Sequence, residues 1–281
     1  MALEPTANHE DVRVNPQLPP RCSVCDQENA SREPFFYDWQ GSRFSIYRCT
    51  HCTHQFVHPP VSRDDQALIY SDRYFSREGD WVCGIFPGGY TEAESQLKEE
   101  AREILAMLPL PSGRLLDIGC AGGVFLSEAR SRGFDVIGLE LNASMAAYAR
   151  STYHLEVLNS RIEDVGPNQW SDHFDVVTLL DCLEHVPQPL LAMRKVAQWL
   201  RPGGYVFIRG PLSNSLLVRM KEGLRRVLRV RKRLPGYPLD ANTFNKRSLG
   251  TLLELSGFQR PRWIGESPGF ANLLARRNAR P

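Results

Sequence analysis

Two pairs of cysteines are the first residues whose spacing implies chemistry. Cys22-Ser23-Val24-Cys25 and Cys49-Thr50-His51-Cys52 are both CxxC turns, with 23 residues between them. Each turn can offer two thiolates to one cation, and two such turns complete the tetrahedral all-sulfur shell that zinc adopts in structural sites. Cys22, Cys25, Cys49 and Cys52 are therefore the expected ligands of a structural zinc ion. A closed shell keeps no open position, so substrate chemistry must lie elsewhere. The competing reading is a set of reduced, unliganded thiols in a degenerate ribbon. His51, His54 and His58 lie nearby in sequence, but four cysteines already fill a site, so these three are expected on the surface. Cys83, Cys120 and Cys182 stand singly. An odd total of seven, with paired spacing, points to a reducing cytoplasmic setting and a metal rather than to a disulfide framework.

The second constellation is Leu115-Leu116-Asp117-Ile118-Gly119-Cys120-Ala121-Gly122-Gly123. An apolar run carries a carboxylate near its end, then glycines, and Val124-Phe125-Leu126 with Ala129 begins a helical pattern. Strand, acid, Gly-rich turn and helix form a nucleotide-type binding corner of an open α/β sheet. The dinucleotide fingerprint does not fit: counted from Gly119 it needs glycine at 121 and 124, where the chain has Ala121 and Val124. A carboxylate two residues before the first glycine would repel a pyrophosphate seated at the helix start. It suits a ligand with an ammonium or a sulfonium, which favours S-adenosylmethionine (SAM) over NAD.

Holding such a corner requires alternating strands and helices. Thr91-x-x-Glu94 fits a capping box, and Ala93, Leu97, Ala101, Ile104, Leu105 and Leu108 mark one helical face ended by Pro109 and Pro111. The pattern then predicts strands at 114–118, 134–139, 155–158, 174–180 and 204–209. Helices are predicted at about 122–132, 143–153, 189–200 and 246–256. Strands separated by single helices imply right-handed crossovers and a parallel sheet. Phe258 to Glu266 and Phe270 to Ala275 can add two antiparallel strands. Between the CxxC pairs, Phe35-Phe36-Tyr37 and Phe44-Ser45-Ile46-Tyr47 read as the strands of a zinc ribbon.

On these residues the region 91–281 resembles a class I, Rossmann-like SAM-dependent methyltransferase. LLDIGCAGG (115–123) is similar to the family's first motif, with Ala121 where glycine is commoner. GLELN (138–142) resembles the second, and FDVVTLLDCLEHVPQP (174–189) and LRPGGYVFIRGP (200–211) the fourth- and fifth-strand motifs. The resemblance implies an α/β fold, a seven-stranded, mostly parallel sheet with helices on both faces, here preceded by the small zinc ribbon. It implies a cofactor site of Asp117, Gly119, Cys120, Gly122, Glu140, Leu141, Glu163, Asp164 and Asp181. Glu140 would accept both ribose hydroxyls, one acid of Glu163-Asp164 would meet the adenine amine, and Asp181 would touch the methionine moiety or cap a turn. His185 is the candidate catalytic base, with an ordinary pKa near 6.5; the alternative is that it only holds the turn before Pro187. Cys120 and Cys182 are expected to be small packing residues.

The expected organisation is a disordered stretch at 1–20, a ribbon at 21–58, an aromatic connector or lid at 59–90, and a SAM-binding domain at 91–281. The connector holds Tyr70, Tyr74, Phe75, Trp81, Phe86 and Tyr90, which either line the site or dock the ribbon. No run nears the roughly 18 apolar residues of a membrane span, and the polar, Pro-rich Met1 to Pro20 has no signal-peptide pattern. The net charge is only +2. The basic residues are uneven, however. Arg219, Lys221, Arg225, Arg226, Arg229, Arg231, Lys232 and Arg233 face one acid, Glu222, and apolar residues recur at helical spacing from Leu217 to Leu228. A basic amphipathic helix over 216–234, within an insertion at 212–244, is expected to meet an anionic substrate or a membrane surface, or to be a solvated face. The expected activity is methyl transfer to a small-molecule or glycan-precursor acceptor. Methylation of an rRNA base, with the helix on phosphates, and a non-catalytic SAM-fold binding module are the competing readings.

Overall fold

The computed structural model describes residues 20–75, 93–166, 168–213, 231–267 and 270–279. Seven strands form the main sheet: β4 (Gly113–Ile118), β5 (Phe134–Glu140), β6 (Glu156–Asn159), β7 (Phe174–Leu180), β8 (Leu200–Pro211), β11 (Arg262–Ser267) and β12 (Phe270–Arg276). Their order is β11-β12-β8-β7-β4-β5-β6. The five strands from β8 to β6 run parallel, and β12 and β11 close the edge antiparallel. The order reverses between β4 and β7, which creates a crevice at their carboxyl ends, where ligands bind in such sheets. β8 begins at Leu200, four residues earlier than the sequence pattern suggested.

The central strands are apolar on both faces because both are covered. On one face Leu115, Val176 and Phe207 pack under α2 (Ala93–Met107), α3 (Val124–Ser131) and α4 (Ala143–Tyr153). On the other, Leu116, Val177 and Ile208 meet α5 (Pro189–Trp199) and α6 (Lys246–Leu255). Each fully buried Leu or Val contributes about 1.5–3 kcal/mol, so the sheet that carries the site is also the principal stabilising layer.

A second sheet has the order β10-β3-β2-β1-β9. β1 (Ala30–Trp39), β2 (Ser42–Cys49) and β3 (Gln55–His58) are the ribbon strands. Its two edges come from far along the chain. β9 (Lys232–Arg233) pairs parallel with Phe35-Phe36, and β10 (Asn242–Thr243) pairs antiparallel with Gln55-Phe56. The C-terminal end of the expected basic helix is thus a short strand: Lys232 and Arg233 lie in register with Phe35 and Phe36, and the Leu234 N–H donates to the Phe36 carbonyl at 2.8 Å. The remainder of that helix, 216–230, lies outside the described residues, as do 1–19, the 76–90 part of the connector with Trp81, Phe86 and Tyr90, and the expected cap at Thr91. Within the described connector, α1 (Arg63–Ile69) is held by a capping box between Ser62 and Asp65. Among the described residues no helix is long and apolar enough to cross a membrane.

His54 corrects one expectation. It is completely buried, not on the surface, stacked near Phe56 and Phe244 with its Nε2 2.9 Å from Asn242 Oδ1. Its sequence neighbours hid this, because its partners come from 188 and 190 residues later. His51 is exposed, as expected.

Candidate functional site

A cavity of about 400 Å³ opens at the carboxyl ends of β4, β5 and β7. Its floor is the turn after β4. Gly119 (φ +78°) and Ala121 (φ +46°) both lie in the left-handed region, and a side chain on Gly119 would place its Cβ 2.8 Å from Cys182 Sγ. Glycine is therefore required at 119. Ala121 accepts a conformation that costs an L-residue roughly 1–2 kcal/mol. Part of the compensation is direct: its N–H donates to Glu140 Oε2 at 2.8 Å.

Glu140 ends β5 and is 6% exposed. Its other oxygen accepts from the Asn142 N–H at 2.7 Å. Burial raises its pKa, opposed by these backbone donors. Each carboxylate oxygen retains a second lone pair for a ligand hydroxyl. Asp117, 2% exposed, lies on the same wall and accepts from Thr178 Oγ1 at 2.6 Å. Burial pushes it up to about 7, with the Thr178 bond opposing and the Glu140 charge adding. No cation of the chain is paired with it among the described residues, so an ammonium group from a ligand would relieve a buried charge. This is the fit expected of SAM.

The acidic pair after β6 divides. Glu163 lines the cavity, with Oε2 3.4 Å from Arg161 Nε. Asp164 does not line it; its carboxylate forms a two-pronged ion pair with Arg63 at the start of α1. Gly122 is buried behind the turn and also lies outside the cavity wall. Cys120 and Leu141 line the wall. Cys182 does too, and burial with nearby carboxylates raises its thiol pKa, which leaves it a packing group rather than a nucleophile.

Just after β7, Asp181 (φ +48°) lines the same cavity and faces Arg209 Nε at 3.6 Å, and Arg209 also meets Glu100 of α2 at 3.4 Å. Burial raises the Asp181 pKa, with Arg209 opposing. His185 closes the 3-10 turn Leu183–His185. Its Nδ1 donates to the Leu239 carbonyl at 3.2 Å and lies 3.4 Å from Asp240 Oδ1. Burial lowers its pKa, against the pull of Asp240, so the ring is neutral near pH 7 with Nε2 unprotonated. Tyr70, Tyr74 and Phe75 of the connector line the cavity beside it, together with Gln66 of α1. The contribution of α1 was missed from sequence, although Ser62-x-x-Asp65 is a weak form of the capping signal.

The four cysteines cluster apart from this cavity. Their sulfurs all lie within 4.8 Å of one another, with Cys22–Cys52 at 3.6 Å and Cys25–Cys49 at 3.5 Å, and all four side chains are buried. Four ligands about 2.3 Å from a central zinc would have sulfurs about 3.8 Å apart, so the cluster fits one tetrahedral ion.

Comparison with known proteins agrees with this geometry. The model of a family described as "Methyltransferase domain" matches residues 93–260. A ubiquinone biosynthesis O-methyltransferase of Xanthomonas campestris pv. campestris is 36% identical over 135 residues, 44% of this chain and 56% of the relative. One from Aeromonas salmonicida is 33% identical over 127 residues, 41% and 52% of the two chains. The chain thus spans about half the length of the curated relatives it matches. A SAM-dependent methyltransferase of Methanosarcina mazei has a similar structure, with TM-score 0.50 and 19% identity, covering 63% of this chain and 98% of its own. The [4+2]-cyclase SpnF, at TM-score 0.51 and 16% identity, covers 68% and 84%. At these identities the structures speak for the fold alone. Taken with the family match over more than half its length, they show that the chain belongs to the methyltransferase-domain family and has the class I, Rossmann-like fold of SAM-dependent methyltransferases.

Proposed function

We propose that the chain transfers the methyl group of SAM directly to a hydroxyl of a small-molecule acceptor. The observation that carries this is the pairing of two buried carboxylates, Asp117 and Glu140, on one cavity wall, with the neutral imidazole of His185 lining the same cavity. Bound SAM supplies an electrophilic methyl on a sulfonium, so no metal or covalent enzyme group is needed for an in-line displacement. Asp117 would hold the ammonium group. Glu140, fixed by the Ala121 and Asn142 N–H groups, would accept the two ribose hydroxyls, and Glu163 would meet the adenine amine. His185 would take the acceptor's proton on Nε2, because Nδ1 is committed to Leu239. Asp240 would then stabilise the imidazolium. Such a base contributes roughly 10²–10⁴-fold; the rest is alignment of acceptor, methyl and sulfur.

The O-methyltransferase names of the relatives support a hydroxyl acceptor. An anionic or sugar-type acceptor, such as a glycan precursor, would draw on the basic residues between Arg219 and Arg233, and its affinity should then fall with salt. The four cysteines would hold one structural zinc ion. Isothermal calorimetry with S-adenosylhomocysteine tests the cofactor reading: binding by the wild type, lost in Glu140→Ala, is expected. Absence of binding by the folded wild type would refute it.

A further inference from the structure

Asn242 is 2% exposed and uses both ends of its amide. Oδ1 accepts from Ser23 Oγ at 3.0 Å and lies 2.9 Å from His54 Nε2. Nδ2 donates to the Val186 carbonyl at 2.6 Å and faces the Glu184 carbonyl at 3.4 Å. The orientation of the amide is fixed by these partners, because two carbonyls can only accept and so require the NH₂ end. Ser23 sits inside the first CxxC, and His54 follows the second by two residues. Glu184 and Val186 flank His185. One side chain therefore joins both cysteine turns to the turn that carries the imidazole.

The neighbours of Asn242 extend the link. The Leu239 carbonyl accepts from His185 Nδ1 and from the Tyr70 hydroxyl, the latter at 3.3 Å. Asp240 faces the same Nδ1. The Ala241 carbonyl accepts from Val57 N–H of β3 at 3.0 Å. Asn245 donates to the Thr53 carbonyl at 3.0 Å, next to Cys52. The run 239–245 thus passes from partners of His185, at Leu239 and Asp240, to partners of the ribbon, from Ala241 to Asn245. A ribbon that were only an appended module would not need a buried amide with four polar contacts across the junction. Leaving any of these groups unpaired in the interior costs about 1–3 kcal/mol.

We propose that Asn242 is a positioning residue through which the four-cysteine centre sets the orientation of His185. The cofactor end of the cavity, built on β4 and β5, meets this network at Tyr70, whose carbonyl accepts from Asn142 Nδ2 at 2.9 Å, and makes no contact with Asn242 itself. Loss of the metal or of the Asn242 amide should therefore disturb the acceptor end and spare cofactor binding. The inference rests on His185 being the base of the proposed reaction, but its test does not need the acceptor.

The experiment uses the full chain labelled with ¹⁵N-histidine, with the His185 signals assigned through His185→Gln. In the zinc-loaded wild type His185 is expected as a single neutral tautomer protonated on Nδ1. Asn242→Asp keeps the acceptor toward Ser23 and His54 but turns a carboxylate toward two carbonyls. It should replace that signal with a mixture of tautomers. Removal of zinc with a chelator should do the same. Affinity for S-adenosylhomocysteine, measured on the same samples, should change by no more than about twofold, since the tie at Tyr70 runs through its backbone carbonyl and not through Asn242. An unchanged His185 signal in folded Asn242→Asp, or after metal removal, overturns the proposal. If Asn242→Asp gives no cooperative melt, Ser23→Ala, which deletes one ribbon-side bond, takes its place under the same criteria. Failure of the wild type to bind S-adenosylhomocysteine would instead strike the methyltransferase reading and leave the tautomer result to stand or fall separately.

Discussion

Asp117→Asn should make the protein more stable and less able to bind its cofactor, and the size of the first effect can be worked out. In the folded chain burial holds the Asp117 carboxyl up at about 7, against an ordinary 3.8. A raised carboxyl pKa means that the folded state prefers the proton. The stability it carries is complete below pH 3.8 and is lost as the pH rises to about 7. A difference of about three pKa units, at 1.36 kcal/mol each, gives a penalty of about 4 kcal/mol above pH 7. At pH 5 only about one unit has been traversed, so the penalty is about 1.6 kcal/mol. Asparagine is nearly isosteric, can still accept from Thr178 Oγ1, and carries no charge to desolvate. Urea unfolding of ligand-free wild type and Asp117→Asn at pH 5 and pH 8 reads the difference directly. The variant should be the more stable protein at both, with a gap larger by about 2–3 kcal/mol at pH 8. S-adenosylhomocysteine should raise the urea midpoint of the wild type and leave that of the variant nearly unmoved. A gap that shrinks with pH, or a variant less stable at pH 8, would show that Asp117 is not a strained buried charge awaiting a cation.

Other perturbations follow from the same contacts. Glu140→Ala should weaken S-adenosylhomocysteine binding by at least tenfold, since each hydrogen bond to a charged group is worth about 1.5–3 kcal/mol; calorimetry checks this beside a thermal melt of the free protein. His185→Gln should leave that affinity intact and, once an acceptor is found, lower kcat by roughly 10²–10⁴. Because burial holds the His185 pKa below the ordinary histidine value, wild-type activity should be lost only on acidification below about 6.5, where the imidazole gains its proton. Metal analysis of purified protein should find about one zinc per chain, and none in Cys22→Ser, if the four sulfurs share a single tetrahedral site.

The parts of the molecule that were legible in the sequence are those made by short-range signals. Asp117, Gly119 and Glu140 were readable because strand, acid and glycine follow within a few residues and the helical period starts at once. The two CxxC turns are likewise self-contained. What escaped depends on partners far away in sequence. His54 looked like a surface residue because nothing near it announces Asn242 or Phe244. Asp164 looked available to a ligand because its partner, Arg63, lies 101 residues earlier. Lys232 and Arg233 read as helix because their charge and spacing match one; two backbone pairings with β1 override that local preference. Gln66 and Asp240 had no motif at all, since their roles come from proximity to His185.

The five-stranded sheet has a bearing on how the chain reaches its native state. Phe35 pairs with Lys232 and Phe56 with Asn242, so each edge of the ribbon waits for residues nearly 200 positions downstream. Contacts of such long range are slow to form because a large loop must close first. During synthesis from the N-terminus, the ribbon would emerge with both edges open, and open edges are templates for wrong pairing. Early capture of a metal by the four cysteines would hold the hairpin in register through that interval, so a chain made under zinc limitation should aggregate before it misfunctions.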